Sequence, residues 1–149
     1  MNICVIPARG GSKRIPRKNI KEFQGKPIIA YSIEVALESK CFDRVIVSTD
    51  DDEIASVAEK YGAEVPFKRP HELSDDFIGV EDVINHAVKY IESEGKSCKY
   101  VCTLYATAPL LQKKYLIQGY KELKNSEAVN SFSATSMPFP IQRSFKLTK

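Results

Sequence analysis

Apolar residues along this chain fall into short unbroken runs that alternate with longer stretches of mixed character. The runs Ile3-Cys4-Val5-Ile6-Pro7-Ala8 and Arg44-Val45-Ile46-Val47-Ser48-Thr49 have the length and β-branching of strands buried on both faces. Tyr100 to Tyr105 predicts a third central strand and Ala128 to Thr135 a last one. Val65-Pro66-Phe67 predicts only a short edge strand, because Pro66 has no N–H to give to a ladder. The mixed stretches predict helices. One opens at Pro27, whose fixed φ suits a first turn, and runs to about Ser39 with Ile28, Ile29, Tyr31, Ile33, Val35 and Leu37 as its apolar positions. Asp50 and Asp51 suit the N-terminal turn of a second, from about Asp52 to Tyr61, which Gly62 closes. Two more run from about Val80 to Ser93, ended by Gly95, and from about Lys113 to Lys124.

Strands alternating with helices of this length predict one α/β domain over residues 1–149, a Rossmann-like and mostly parallel sheet with helices on both faces. Ligands of such sheets sit at the carboxyl ends of the strands. Four segments are therefore expected on one edge: the loop after the first strand, Ser48-Thr49-Asp50-Asp51, Lys68-Arg69-Pro70, and Ala106-Thr107-Ala108-Pro109.

The first of these loops, Arg9-Gly10-Gly11-Ser12-Lys13-Arg14-Ile15-Pro16-Arg17-Lys18-Asn19, turns the question from fold to chemistry. Adjacent glycines permit backbone conformations closed to other residues, so successive N–H groups are able to converge on one anion. Arg9 offers a planar fork to two phosphate oxygens, and Lys13 and Lys18 are compact point charges. Residues 9–26 hold seven Lys or Arg against one acid, Glu22; taking that +6 from the formal net charge of +3 leaves the rest of the chain at −3. Positive charge confined to one loop predicts a focused polyphosphate site and argues against a nucleic-acid-coating surface. The spacing fits neither G-x-x-x-x-G-K-[ST] nor G-x-G-x-x-G, which removes the main support for a P-loop ATPase or a dinucleotide dehydrogenase.

Length and composition set wider bounds. A chain of 149 residues with 43% hydrophobic content suffices for one domain with a proper core. Without an apolar run of spanning length or a charged-then-apolar start, a soluble cytoplasmic protein with no membrane partner is expected. Cys4, Cys41, Cys98 and Cys102 lack the spacing of paired metal ligands and read as thiols in a reducing compartment. His71 and His86 read more readily as structural than as catalytic. Asp50-Asp51-Asp52-Glu53 admits a magnesium cluster, but acids at a helix start are favoured by the dipole alone, and that reading is preferred. Asp75-Asp76 fits either a helix cap or an acceptor for a ribose hydroxyl.

Several of these segments together resemble a known family, the cytidylyltransferases that activate nine-carbon ulosonic acids. The resemblance is carried by the opening from Ile6-Pro7-Ala8-Arg9 to Asn19, by Phe42 to Asp50, and by Arg69-Pro70-His71-Glu72-Leu73, and it extends over essentially the whole chain. Within the family, Tyr105-Ala106-Thr107-Ala108-Pro109 and Phe139-Pro140-Ile141-Gln142-Arg143 are most similar to the pseudaminic acid branch, with the sialic and legionaminic acid branches as alternatives. The resemblance implies a nucleotide-diphospho-sugar transferase fold and a CTP-dependent reaction in which the sugar acid's anomeric hydroxyl displaces pyrophosphate, assisted by Mg2+. It implies that Ala8, Arg9, Gly10, Gly11, Ser12, Lys13, Lys18, Asn19, Arg69 and Asp76 bind the nucleotide, with Arg9, Lys13 and Lys18 acting in catalysis. Tyr105, Thr107, Gln142 and Arg143 would contact the sugar, Arg143 as partner to its carboxylate or simply solvated. Family members continue past residue 149, and the resemblance implies that the metal-binding aspartates and an arm for a homodimer lie there. A nucleotide-binding module without catalysis, or a nucleotidyltransferase for another sugar, remains the alternative.

Overall fold

The computed structural model describes residues 1–75 and 77–136. In chain order the elements are β1 (Asn2–Pro7), β2 (Glu22–Phe23), β3 (Lys26–Pro27), α1 (Ile28–Ser39), β4 (Arg44–Ser48), α2 (Asp52–Lys60), α3 (Val80–Ser93), β5 (Tyr100–Thr103) and α4 (Lys113–Lys124), with 3-10 turns at Lys18–Ile20 and His71–Leu73. The main sheet has the order β4-β1-β5 and is parallel throughout, with Cys4 opposite Val45 on one side and Cys102 on the other. The unbroken apolar run of β1 is explained by its central place. Cys4 and Ile6 face a layer that contains Ile29 and Ile33 of α1 and Ile54 of α2, while Ile3 and Val5 face Ala87 and Ile91 of α3. Both faces of the sheet are thus covered, as the alternation of elements predicts, and Ile3, Val5 and Ile6 have no exposed surface.

Helix ends follow local chemistry. Gly62 and Gly95 take φ of 92° and 76° just past α2 and α3, the left-handed region that favours glycine. The chain before α1 holds an element the periodicity did not announce: β2 and β3 pair antiparallel around Gln24-Gly25, whose φ values of 48° and 85° match a two-residue hairpin turn. Strands of two residues carry no period to read. The hairpin is seated on α1 by the Tyr31 hydroxyl, which donates to the Phe23 carbonyl at 2.7 Å.

Three expected strands are corrected. Val65-Pro66-Phe67 forms none; the backbone pairs alongside β4 at two isolated bridges, Glu64 to Ile46 and Lys68 to Thr49 just past it, and Pro66 has no donor for the stretch between them. The strand expected to Tyr105 ends at Thr103, and the Tyr105 carbonyl instead accepts from Ser32 Oγ of α1 at 2.8 Å. Residues 128–135 form no strand: Val129 and Phe132 are 94% and 81% exposed, and none of the described strands pairs with them. The expected stability pattern is correspondingly uneven. Ile6→Ala should cost about 2–5 kcal/mol in urea unfolding, and Val129→Ala less than about 0.5 kcal/mol; comparable losses would show that residues 128–135 are packed after all.

Candidate functional site

The glycine loop leaves β1 at the carboxyl end of the central strand, where the Ala8 N–H donates to the Ser48 carbonyl of β4 at 2.9 Å. Its base is closed by Asn19, a buried residue whose Nδ2 donates to the Arg9 carbonyl at 2.9 Å. Gly10 N–H donates to Asp50 Oδ1 at 2.8 Å. A Cβ at Gly10 would lie 2.7 Å from Asp51 Oδ2, so glycine is required there by close approach of a side chain. This corrects the expected reason for the glycine pair. The glycines with positive φ are Gly25, Gly62 and Gly95, so neither Gly10 nor Gly11 needs a special conformation. The Gly10 N–H is also turned to a carboxylate, and only Gly11, with open space around it, faces outward.

The far end of the loop is held by Arg17, which adopts φ 53°. Its guanidinium donates to both oxygens of Asp51, at 2.5 and 2.8 Å, and also to Glu53. Asp51 is at the same time the N-cap of α2 and accepts from Glu53 N at 3.1 Å and Ile54 N at 3.0 Å. The hydrogen bond from Arg17, with help from these amides, lowers the Asp51 pKa to about 2 against the opposing effect of burial. The helix-start reading therefore holds for Asp51, whereas Asp50 is not a cap and secures the loop instead.

Arg69 reaches the site through the bridge beside β4. It is 5% exposed, and its guanidinium donates to Ser48 Oγ at 3.1 Å and to the Ser48 carbonyl. Burial lowers its pKa to about 10; the charge of Asp50 acts the other way and that of Arg9 adds to the lowering. Arg69 thus stays cationic at neutral pH, in the field of both Asp50 and Arg9. Lys68, beside it, is exposed and paired with Asp52 at 2.7 Å.

The other predicted residues are placed as follows. Ala8 is buried beneath the loop, Ser12 is half-buried, and Lys13 and Lys18 are exposed. Tyr105 and Thr107 stand exposed after β5, on the same sheet edge as the loop. Asp76, Gln142 and Arg143 lie outside the described residues, as do Phe139 and Ile141. Asp75 secures a turn, its Oδ1 accepting from Phe77 N and Ile78 N. His86 packs its ring edge-on against Phe67, with centroids 4.7 Å apart, and its Nδ1 is buried without a hydrogen-bond partner among the described residues.

Sequence reasoning missed the ties from Asp50 to Gly10 and from Arg17 to Asp51. The signal was present in the run of acids after β4 and the surplus of cations in the loop, but the partners are 40 and 34 residues apart. Among the described residues no group of three or more His, Cys, Asp or Glu is arranged for a metal ion. Asp51 is engaged by Arg17 and two helix amides, and Asp50 accepts from Gly10 through one of its oxygens. No helix of the described residues is long and apolar enough to cross a membrane.

Residues 3–144 match the family model described as Cytidylyltransferase. A pseudaminic acid cytidylyltransferase of Campylobacter jejuni is 51% identical over 148 residues, covering 99% of this chain and 64% of the relative. A CMP-N,N'-diacetyllegionaminic acid synthase of the same species is 46% identical over 108 residues, covering 72% of this chain and 46% of the relative. This chain therefore spans less than two thirds of the length of either relative. Among solved structures, CMP:2-keto-3-deoxy-manno-octonic acid synthetase complexed with CTP superposes with a TM-score of 0.68 at 23% identity, over 86% of this chain and 49% of the other, a likeness of fold.

The lowered Asp51 pKa has a stability consequence. A carboxylate with a depressed folded-state pKa stabilises the fold fully above its ordinary value and loses that contribution as pH falls toward the folded one. Asp51→Asn keeps a good helix cap and removes the charge together with one of the two oxygens that accept from Arg17. It should cost about 1 kcal/mol at neutral pH, screening at the part-exposed Arg17 included. The gap from the native protein should close between about pH 4 and pH 2. A gap that stays constant across that range in denaturant titrations would contradict the pairing.

Proposed function

The chain belongs to the cytidylyltransferase family, and we propose that it transfers CMP from CTP to the anomeric hydroxyl of a nine-carbon ulosonic acid, releasing pyrophosphate. The observation that carries this reading is the loop Arg9–Asn19, which brings five cations to the carboxyl end of the central strand on a backbone tied at both ends. Displacement at phosphorus asks for positioning and charge neutralisation more than for a covalent nucleophile.

In this reaction the sugar hydroxyl oxygen bonds to the α-phosphorus as the bond to the bridging oxygen breaks. Pyrophosphate leaves with the electron pair, and the hydroxyl proton passes to water. Arg9, Lys13 and Lys18 offset the charge that gathers on the phosphate oxygens, and Gly11 and Ser12 let the triphosphate approach the backbone. Asn19 fixes the Arg9 carbonyl and so the start of the loop. Arg69, buried and cationic, adds positive potential from below. Mg2+, when bound, would offset further charge on the phosphates, and no step here is routed through it. Tyr105 and Thr107, exposed after β5, would contact the sugar.

The relative at 51% identity supports pseudaminic acid as acceptor, and the relative at 46% makes legionaminic acid the second reading. A cytoplasmic location and a homodimer of the full-length protein belong to the same proposal.

A charged hydrogen bond to phosphate is worth about 1.5–3 kcal/mol. Arg9→Ala or Lys13→Ala should therefore weaken CTP binding about tenfold or more in calorimetry, and undiminished affinity in both would remove the loop from the site. In the full-length protein, pyrophosphate release should be faster with pseudaminic acid than with legionaminic or sialic acid. The reverse order would reassign the acceptor.

A further inference from the structure

Arg17 is one of five cations in the loop, and by charge alone it would be counted with the phosphate ligands. Its surroundings argue otherwise. The guanidinium is spread over Asp51 and Glu53, and the bidentate bond to Asp51 fixes its plane. The residue occupies a left-handed conformation, φ 53°, that a non-glycine residue takes up only when its surroundings hold it there. We propose that Arg17 is a positioning residue, which through the Asp51 carboxylate clasps the far end of the glycine loop to the start of α2 so that Gly11–Pro16 meets a nucleoside triphosphate already shaped.

The other ties complete the device. Gly10 is held by Asp50 and packed against Asp51, so both ends of the loop are fastened to two adjacent residues. Asn19 closes the base at the Arg9 carbonyl. Between the fastenings, Gly11 and Lys13 to Pro16 are exposed. Like charges along such a segment repel one another and favour an open, varied loop; a loop anchored at each end has far fewer shapes to lose when an anion arrives. The inference rests on the reading of this loop as the CTP triphosphate site.

The two roles for Arg17 give opposite signs for one substitution. Asp51→Asn removes a negative charge beside the loop and keeps the helix cap. Were Arg17 a phosphate ligand restrained by Asp51, this change would release it and tighten CTP binding. If Arg17 acts through Asp51, binding weakens despite the lost negative charge. We expect Arg17→Ala and Asp51→Asn each to weaken CTP binding about tenfold in calorimetry, and the double variant to bind no worse than either alone. Arg17→Lys, which keeps the charge and loses the fork, should fall between native and Arg17→Ala. Hydrogen exchange of the amides of residues 11–15 should quicken in both single variants without nucleotide. Native-like or tighter CTP binding by Asp51→Asn, multiplied losses in the double variant, or unchanged exchange would each overturn the clasp while native CTP binding stands. Failure of the native protein to bind CTP would overturn the site reading itself, and the clasp's purpose with it.

Discussion

Two neighbouring carboxylates at the end of β4, Asp50 and Asp51, hold the glycine loop where it is. Parallel pairing of β1 and β4 sets the carboxyl ends of the two strands side by side, with the Pro7 and Ser48 positions in register. The residues that follow each strand are therefore brought within hydrogen-bonding reach without any long connection. Asp50 takes the first N–H of the glycine pair, and Asp51 takes Arg17 while capping its own helix. Asp51 has no room for a side chain at position 10, so the glycine there is a packing requirement.

The same constraint shapes the electrostatics. Five cations in one loop would scatter it, yet a site for a triphosphate needs them close together. Asp51 and Glu53 pair with Arg17 at one flank, and Asp50 holds the backbone at the other. Arg69 supplies a second tier, buried against Ser48 and paired by hydrogen bonds to a hydroxyl and a carbonyl instead of an acid. Desolvation opposes that charge, and its pKa falls to about 10, still far above neutral pH. A cation kept ionised with no carboxylate bonded to it among the described residues retains its attraction for an incoming anion.

Much of this was legible in the sequence, for identifiable reasons. The central strands were plain because β1 and β4 are buried on both faces and so read as unbroken apolar runs. The helices Val80–Ser93 and Lys113–Lys124 have the predicted bounds, since their apolar periodicity is long. Residues 128–135 misled because scattered apolar positions such as Val129 and Phe132 imitate a strand, though a strand also needs a neighbour to pair with. The β2–β3 hairpin was too short to show a period. In the site, the alternation of elements put the glycine loop and Lys68-Arg69-Pro70 on one sheet edge, but the ties that shape the loop join residues far apart in sequence. The difference between Asp50 as holder and Asp51 as cap is one of direction, which spacing does not encode.

The central claim is that the loop Arg9–Asn19 receives a triphosphate while its acidic fastenings stay closed. A crystal structure of the protein with CTP tests it most directly. The account predicts phosphate oxygens within hydrogen-bonding distance of Gly11, Ser12, Lys13 and Lys18, with the Gly10–Asp50 and Arg17–Asp51 contacts intact. A triphosphate bound away from this loop, or one bound to Arg17 with Asp51 released, would contradict it.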